Sequence, residues 1–178
     1  RDSLFKKNPG RYVVLEVQFN LRRGEMTTPI LYEELAKELG IAVGEKADVI
    51  KTREAVLRIR TRKGMLLNDS DRDTYSAGSF FTNPIVAESD IPEGAPKYPQ
   101  GNGTFKTSAA WLIEHSGITK GQRLNGAAIS SKHVLAITNF ENAKAEDIAA
   151  LAIQVRDAVK MKFGIDLVPE VNLVGLSL

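Results

Sequence analysis

The sequence predicts an α+β fold, and three stretches carry that prediction. Residues 12–21 alternate apolar and polar side chains with the period of a strand, and residues 145–163 repeat apolar side chains with the period of a helix. Between them, residues 64–106 are rich in Gly, Pro, Asn, Asp and Ser. Helices and short strands joined by turn-rich loops make the mixture α+β.

In the first stretch Val13, Leu15, Val17, Phe19 and Leu21 share one face while Glu16, Gln18 and Asn20 share the other, which predicts a half-buried strand. Thr28-Pro29 opens a helix, proline suiting a first turn, and Gly40 is placed to end it; its apolar face carries Ile30, Leu31, Leu35 and Leu39. A second helix is expected over about residues 48–62, with Val49, Val56 and Ile59 inward and a stop near Lys63-Gly64. The loops of 64–106 hold short strands around Ser79 and around Ile85-Val86. Thr107 or Ser108 caps a short helix through Trp111, Leu112 and Ile113 that ends at Gly117. Val134–Thr138 reads as a buried strand. In 145–163 the residues Ile148, Leu151, Ala152, Val155, Val159 and Phe163 form one stripe, with Glu146 and Asp147 in the first turn and Lys160 and Lys162 in the last, as the helix dipole favours. A terminal strand, Val171–Val174, follows Pro169-Glu170. The chain holds no internal repeat and no low-complexity tract.

Composition narrows the chemistry. A length of 178 residues suits one domain or two small ones, and 43% hydrophobic with 26% charged residues is ordinary for a soluble globular protein. With 24 basic and 22 acidic residues the net charge is +2, which argues for neither a nucleic-acid nor a membrane surface. The absence of cysteine excludes disulfides, thiolate metal sites and cysteine nucleophiles. The two histidines, His115 and His133, lack metal-ligand spacing, so no metal is expected. No apolar run approaches the roughly 20 residues of a membrane span, and no signal peptide is visible. The opening Arg1-Asp-Ser-Leu-Phe-Lys-Lys has no methionine, so a preceding segment is expected.

Ser76-Ala-Gly-Ser-Phe-Phe-Thr-Asn-Pro84 is the segment with most chemical content. Gly78 reaches backbone angles closed to other residues and leaves room for a ligand beside Ser79. Phe80 and Phe81 offer apolar anchors, and Asn83-Pro84 ends the element. Taken alone, these nine residues are either a strand-to-loop transition with a glycine bulge or a hydroxyl held at a buried edge, able to donate a proton to a substrate.

Several segments together resemble one family. Arg1-Asp-Ser-Leu-Phe-Lys, Arg60-Thr-Arg-Lys-Gly, Ser76 to Pro84, Ala109-Ala-Trp-Leu-Ile-Glu, Ser131-Lys-His and Pro169-Glu-Val are similar, in order and approximate spacing over essentially the whole chain, to the C-terminal two-thirds of UDP-N-acetylenolpyruvoylglucosamine reductase, a flavoenzyme of bacterial peptidoglycan precursor synthesis. The resemblance implies reduction of an enolpyruvyl ether to a lactyl ether, with NADPH as co-substrate and FAD as cofactor. It implies Ser79 as proton donor, with Glu170 and Arg1 as further catalytic residues. The residue types suit those roles. Arginine offers a permanently charged fork for a carboxylate. A glutamate beside that carboxylate can help polarise it. A serine is a poor acid, yet a short-lived carbanion is a base strong enough to take its proton.

Substrate contacts follow from the same resemblance. Tyr32 is similar to the tyrosine that closes over substrate in one family subtype, and Lys63 to the lysine that reaches the nucleotide diphosphate. Asn83 corresponds to a uracil or ribose contact, Tyr98 and Lys106 to the pair lining the nucleotide site, and His133 to another polar contact. Read from composition alone, these are solvated charges, a helix-end lysine and loop or strand-edge polar residues. The loop from Lys63 to Ser79 departs from the pattern through a polar insertion, Asn68-Asp-Ser-Asp-Arg-Asp. No dinucleotide fingerprint is present, since neither Gly101-Asn-Gly nor Gly121-Gln-Arg-Leu-Asn-Gly fits a strand–loop–helix cradle.

The expected organisation is therefore the remainder of a flavin-binding lobe over 1–63, a substrate-binding domain over 64–164, and a tail over 165–178 that returns to the flavin-binding part. The implied partners are the UDP-sugar substrate and a separate N-terminal FAD-binding domain, without which the chain is expected to be inactive and to bind FAD and NADPH poorly. A cytoplasmic location is expected. Two other readings stay open at this point: a non-catalytic UDP-sugar-binding module, and a scaffold that reuses the fold.

Overall fold

The computed structural model describes residues 3–8 and 10–178. The chain divides into two compact units, one up to Thr52 and one from Arg53 onward.

In the first unit α1 spans Leu4–Lys7, and the Ser3 hydroxyl caps it by accepting from Lys6 N at 3.2 Å. Helix α2 spans Glu33–Leu39 and closes on Gly40, whose φ of 70° is the left-handed conformation that glycine supplies most readily. This helix starts later than Thr28-Pro29 predicts. Ile30 N donates to Glu45 O at 2.9 Å and Ile30 O accepts from Gly44 N at 2.8 Å, so backbone groups that a helix would need are committed across the chain. Ile30 is buried with Ala36 and Ala47 in a small core flanked by Leu35, Leu39 and Ile41, whereas Leu31 stays exposed.

The predicted strand over 12–21 does not form. Those residues have no regular secondary structure, and the face read as buried is exposed, with Leu15 at 91% and Val13 at 84%. Alternation specifies which side of a strand is apolar, but a strand also needs a hydrogen-bonding neighbour, and no described residue supplies one here.

Helix α3, Val49–Arg62, begins in the first unit and ends in the second. Ala55, rather than Val49 or Val56, is its fully buried residue.

The second unit holds two antiparallel sheets. One has the order β1-β7-β6-β5, from Ser76–Ser79 (β1), Ala136–Asn139 (β7), Ala127–Ile129 (β6) and Arg123–Leu124 (β5). The other has the order β2-β4-β3, from Ile85–Ala87 (β2), Thr104–Lys106 (β4) and Tyr98–Pro99 (β3). Helix α4, Ala109–His115, is capped by the Ser108 hydroxyl accepting from Trp111 N at 3.2 Å. Helix α5 spans Ala145–Phe163, the span its periodicity predicts, and Gly164 closes it at φ 69°. Leu151, Ala152, Val155 and Val159 of α5 join Leu112 and Ile113 of α4 and Ile129 and Ile137 of the four-stranded sheet in one buried core. That core anchors β1 and hence Ser79.

Two strand predictions are corrected. Strand β7 begins at Ala136, because His133 O accepts from Ala136 N at 2.9 Å and places His133 in the turn that precedes it. Val171–Val174 forms no strand. The tail meets β1's continuation at an isolated bridge between Phe81 and Pro169 whose bonds use Val168 O and Glu170 N. The ladder does not run on because Phe80 N, which would complete the pair with Glu170, donates to Leu135 O instead at 2.7 Å.

Candidate active site

The β1 ladder explains why Ser79 stands where it does. Ser76 faces Thr138 and Ser79 faces Ala136, three steps on one strand against two on the other, so β1 carries one extra residue as a bulge. Gly78 sits in it at φ 84°. The bulge turns the chain, and Phe80 N then donates to Leu135 O at 2.7 Å to lock the exit. Phe80 and Phe81 are buried edge-on to each other at 5.0 Å between ring centroids. Ser79 is thereby fixed, half-buried, on a rigid edge.

Glu170 arrives from the other end of this unit. Thr82 N donates to Val168 O at 2.9 Å and Glu170 N donates to Phe80 O at 2.7 Å, which ties the tail to the residue after Ser79. Ser79 and Glu170, separated by 91 positions, line one cavity of about 960 Å³ with Arg60, Gly64, Met65, Thr74, Ser76 and Asn172 among its walls. That size suits a ligand of nucleotide dimensions.

The other residues singled out in the sequence fall as follows. Arg1 lies outside the described residues. Tyr32 belongs to the first unit, where it is the N-cap position of α2 and 80% exposed. Lys63 follows the last residue of α3 and precedes Gly64 of the cavity wall. The Asn83 side-chain oxygen accepts from Ala109 N at 3.0 Å at the start of α4, which gives it a capping task. Tyr98 and Lys106 are partners in the β3–β4 ladder, with the Lys106 ammonium 5.9 Å from the Tyr98 ring centroid. His133 N donates to Ser130 Oγ at 3.3 Å. Within the second unit, Lys63, Asn83, Tyr98, Lys106 and His133 are not among the residues that line the Ser79 cavity.

Sequence reasoning missed the cavity's polar support. Arg60 lines the cavity and donates from Nη2 to Met65 O at 3.1 Å. Asp73 accepts from Ser131 N at 2.8 Å and from the Ser131 hydroxyl, and Lys132 pairs with Asp71. Burial alone would raise the Asp73 carboxyl; the Ser131 hydroxyl and amide, the Ser130 hydroxyl and the Lys132 charge outweigh it and hold the pKa below the ordinary carboxylate value. The signal is absent from the sequence because the partners are 58 residues apart.

No dinucleotide cradle is built from the glycine pairs. Gly101 and Gly103 lie in the turn between β3 and β4, Gly121 precedes β5, and Gly126 lies in the turn between β5 and β6, so neither pair opens a helix. Among the described residues no group of three or more His, Cys, Asp or Glu is arranged to hold a metal ion. Among the described residues no helix is long and apolar enough to cross a membrane.

Comparison with known proteins places these features in context. Residues 70–174 match the family model described as UDP-N-acetylenolpyruvoylglucosamine reductase, C-terminal domain. The chain is 49% identical to the UDP-N-acetylenolpyruvoylglucosamine reductase of Cutibacterium acnes, over 100% of this chain and 48% of that protein. It is 46% identical to the protein of the same name from Streptomyces avermitilis, over 100% of this chain and 53% of that protein. A crystal structure of UDP-N-acetylenolpyruvylglucosamine reductase from Thermus caldophilus aligns at 25% identity with a TM-score of 0.37, over 70% of this chain and 36% of that one. The chain thus spans about half the length of the curated relatives it matches.

Proposed function

Because the chain belongs to the UDP-N-acetylenolpyruvoylglucosamine reductase family, we propose that it supplies the substrate-binding and proton-delivering part of an FAD- and NADPH-dependent enzyme. That enzyme reduces UDP-N-acetylglucosamine enolpyruvate to UDP-N-acetylmuramate for peptidoglycan synthesis in the cytoplasm. The observation that carries this reading is the shared cavity of Ser79 and Glu170, closed by the 2.7 Å bond from Glu170 N to Phe80 O. A scaffold would need no hydroxyl and carboxylate converging on one cavity.

The flavin is assigned to the part of the relatives that lies beyond the matched half, since neither glycine pair here opens a helix. In this reading residues 1–63 complete a flavin-binding lobe, 64–164 bind substrate, and 165–178 form a tail that returns to the flavin-binding part. Hydride supply to the enolpyruvyl β-carbon is the flavin's chemistry. What falls to this chain is the negative charge left on the α-carbon and its carboxylate. Glu170, with Arg1, faces that carboxylate, and Ser79 delivers the proton to the α-carbon. A hydroxyl serves because the carbanion is far more basic than the resulting alkoxide, and a low-dielectric cavity strengthens each stabilising contact. Lys63 reaches the diphosphate as a point charge. Asn83, Tyr98, Lys106 and His133 contact the nucleotide, and Tyr32 closes over the substrate.

Joined to the N-terminal FAD-binding part and loaded with flavin, the protein is expected to turn NADPH over continuously only when the UDP-sugar enolpyruvyl ether is present, with one UDP-N-acetylmuramate formed per NADPH turned over. Saturable binding of the UDP-sugar without NADPH consumption would instead identify a non-catalytic binding module. The 178-residue chain alone is expected to purify without flavin, and stoichiometric flavin absorbance in it would contradict the assignment.

A further inference from the structure

The polar insertion before β1 is anchored in a way that the proposed reaction does not use. Directly after it, the buried Thr74 hydroxyl accepts from Asn68 N at 3.0 Å and faces Asn68 O at 3.0 Å and Asp71 O at 2.8 Å. The Asp71 carboxylate accepts from Asp73 N at 3.1 Å. Residues 68–74 therefore form a closed, self-bonded loop. Two carboxylates join it to the turn before β7: Asp73 to the amide and hydroxyl of Ser131, and Asp71 to Lys132. A third segment is wedged against the same point. Gly64, at φ 66°, lies so close that a Cβ there would stand 3.0 Å from Asp73 O and 3.5 Å from the Lys132 side chain.

The consequence is geometric. Gly64 and Met65 on one side of this junction, and Thr74 and Ser76 on the other, line the cavity that holds Ser79 and Glu170. Ser79 and Glu170 are held separately, by the β1–β7 ladder and by the Phe80 carbonyl. We propose that Asp73, clasped by Ser131, is a positioning residue that sets substrate affinity by holding the Gly64–Met65 and Thr74–Ser76 walls of the cavity together at the end where the chain leaves α3. This inference rests on the reductase reading above. It assigns to the inserted loop a task in binding the UDP-sugar and leaves proton delivery to Ser79.

The clasp predicts a split between KM and kcat. In the flavin-loaded protein, Asp73→Ala and Ser131→Ala are each expected to raise KM for the UDP-sugar enolpyruvyl ether about tenfold, with kcat within about twofold of wild type. Flavin reduction by NADPH, measured without substrate, should not change. Asp73→Asn keeps an oxygen for Ser131 N and offers an amide to the Ser131 hydroxyl, so it should restore KM to within about threefold of wild type. Thermal melting run alongside separates affinity from stability. A lowered melting temperature with KM unchanged would make the clasp merely structural and overturn the proposal. Should Asp73→Ala fail to fold, Ser131→Ala, which leaves the carboxylate and the Asp71–Lys132 pair in place, decides by the same split. A wild-type protein joined to its FAD-binding part, loaded with flavin and still without reductase activity would refute the functional reading instead. The clasp is then judged by UDP titration, where equal affinity in wild type and Ser131→Ala overturns it.

Discussion

Replacing Ser79 with alanine is expected to lower reduction of the UDP-sugar enolpyruvyl ether by about a thousandfold, within the range typical of losing a positioned general acid. The substitution removes one oxygen and keeps Cβ. It leaves the Ser79–Ala136 register, the Gly78 bulge and the Phe80 N to Leu135 O bond in place, because all of these are made by the backbone. The cavity should keep its shape and its ligand. Two half-reactions measured separately test this. Flavin reduction by NADPH should proceed at close to the wild-type rate, and reoxidation of the reduced flavin by substrate should nearly stop. Equal loss of both would mean that the change had damaged the protein, and Ser79 would no longer be the proton donor.

Phe81→Ala is expected to carry the largest cost in stability, about 3–5 kcal/mol, as for other buried aromatic truncations. Phe81 is 2% exposed, stacks edge-on with Phe80 and bridges Pro169. Its loss leaves a cavity between β1's continuation and the tail, beside the bonds from Thr82 N to Val168 O and from Glu170 N to Phe80 O that fasten the tail carrying Glu170. The urea midpoint should fall sharply while the slope of the transition stays near wild type, since the native contacts elsewhere remain. A loss below about 1 kcal/mol would show that the site collapses readily or that the tail carries little of the load. Because Glu170 N is bonded to Phe80 O, the variant should also lose activity beyond what unfolding explains.

How much of this was legible in the sequence depended on the range over which each feature is determined. Helix α5 was readable residue by residue because its stripe, its acidic first turn, its basic last turn and Gly164 are all local. The cap of α4, narrowed to Thr107 or Ser108, and the Gly40 stop of α2 were readable for the same reason. The strand expected over residues 12–21 was not settled by its pattern, because alternation names a face and not a neighbour. The start of α2 moved because Ile30 spends its N–H and C=O on Glu45 and Gly44, a pairing no local preference reveals. The Val171–Val174 strand failed because Phe80 gives its N–H to Leu135 rather than to the tail, a choice made across the fold.

The site divides along the same line. Gly78-Ser79 announced itself, since a glycine in a β run marks a bulge and the hydroxyl follows it. Glu170 was ordinary by any local criterion and entered only through family resemblance; the hydrogen bond to Phe80 supplies its physical place. The Asp73–Ser131 clasp was invisible, because neither partner is unusual in its own segment. Asn83 shows the reverse case, a residue proposed to touch substrate whose oxygen is occupied at the start of α4.

The central claim is that the cavity uniting Ser79 and Glu170 is where the UDP-sugar binds. Hydrogen–deuterium exchange of the flavin-loaded protein, with and without saturating UDP-N-acetylglucosamine enolpyruvate, tests it most directly. The expected result is joint protection of the two distant wall segments, Gly64 to Ser79 and Glu170 to Asn172, with the exposed end of α5 around Met161 unchanged. Protection confined to one of these segments, or located elsewhere in the chain, would contradict the account.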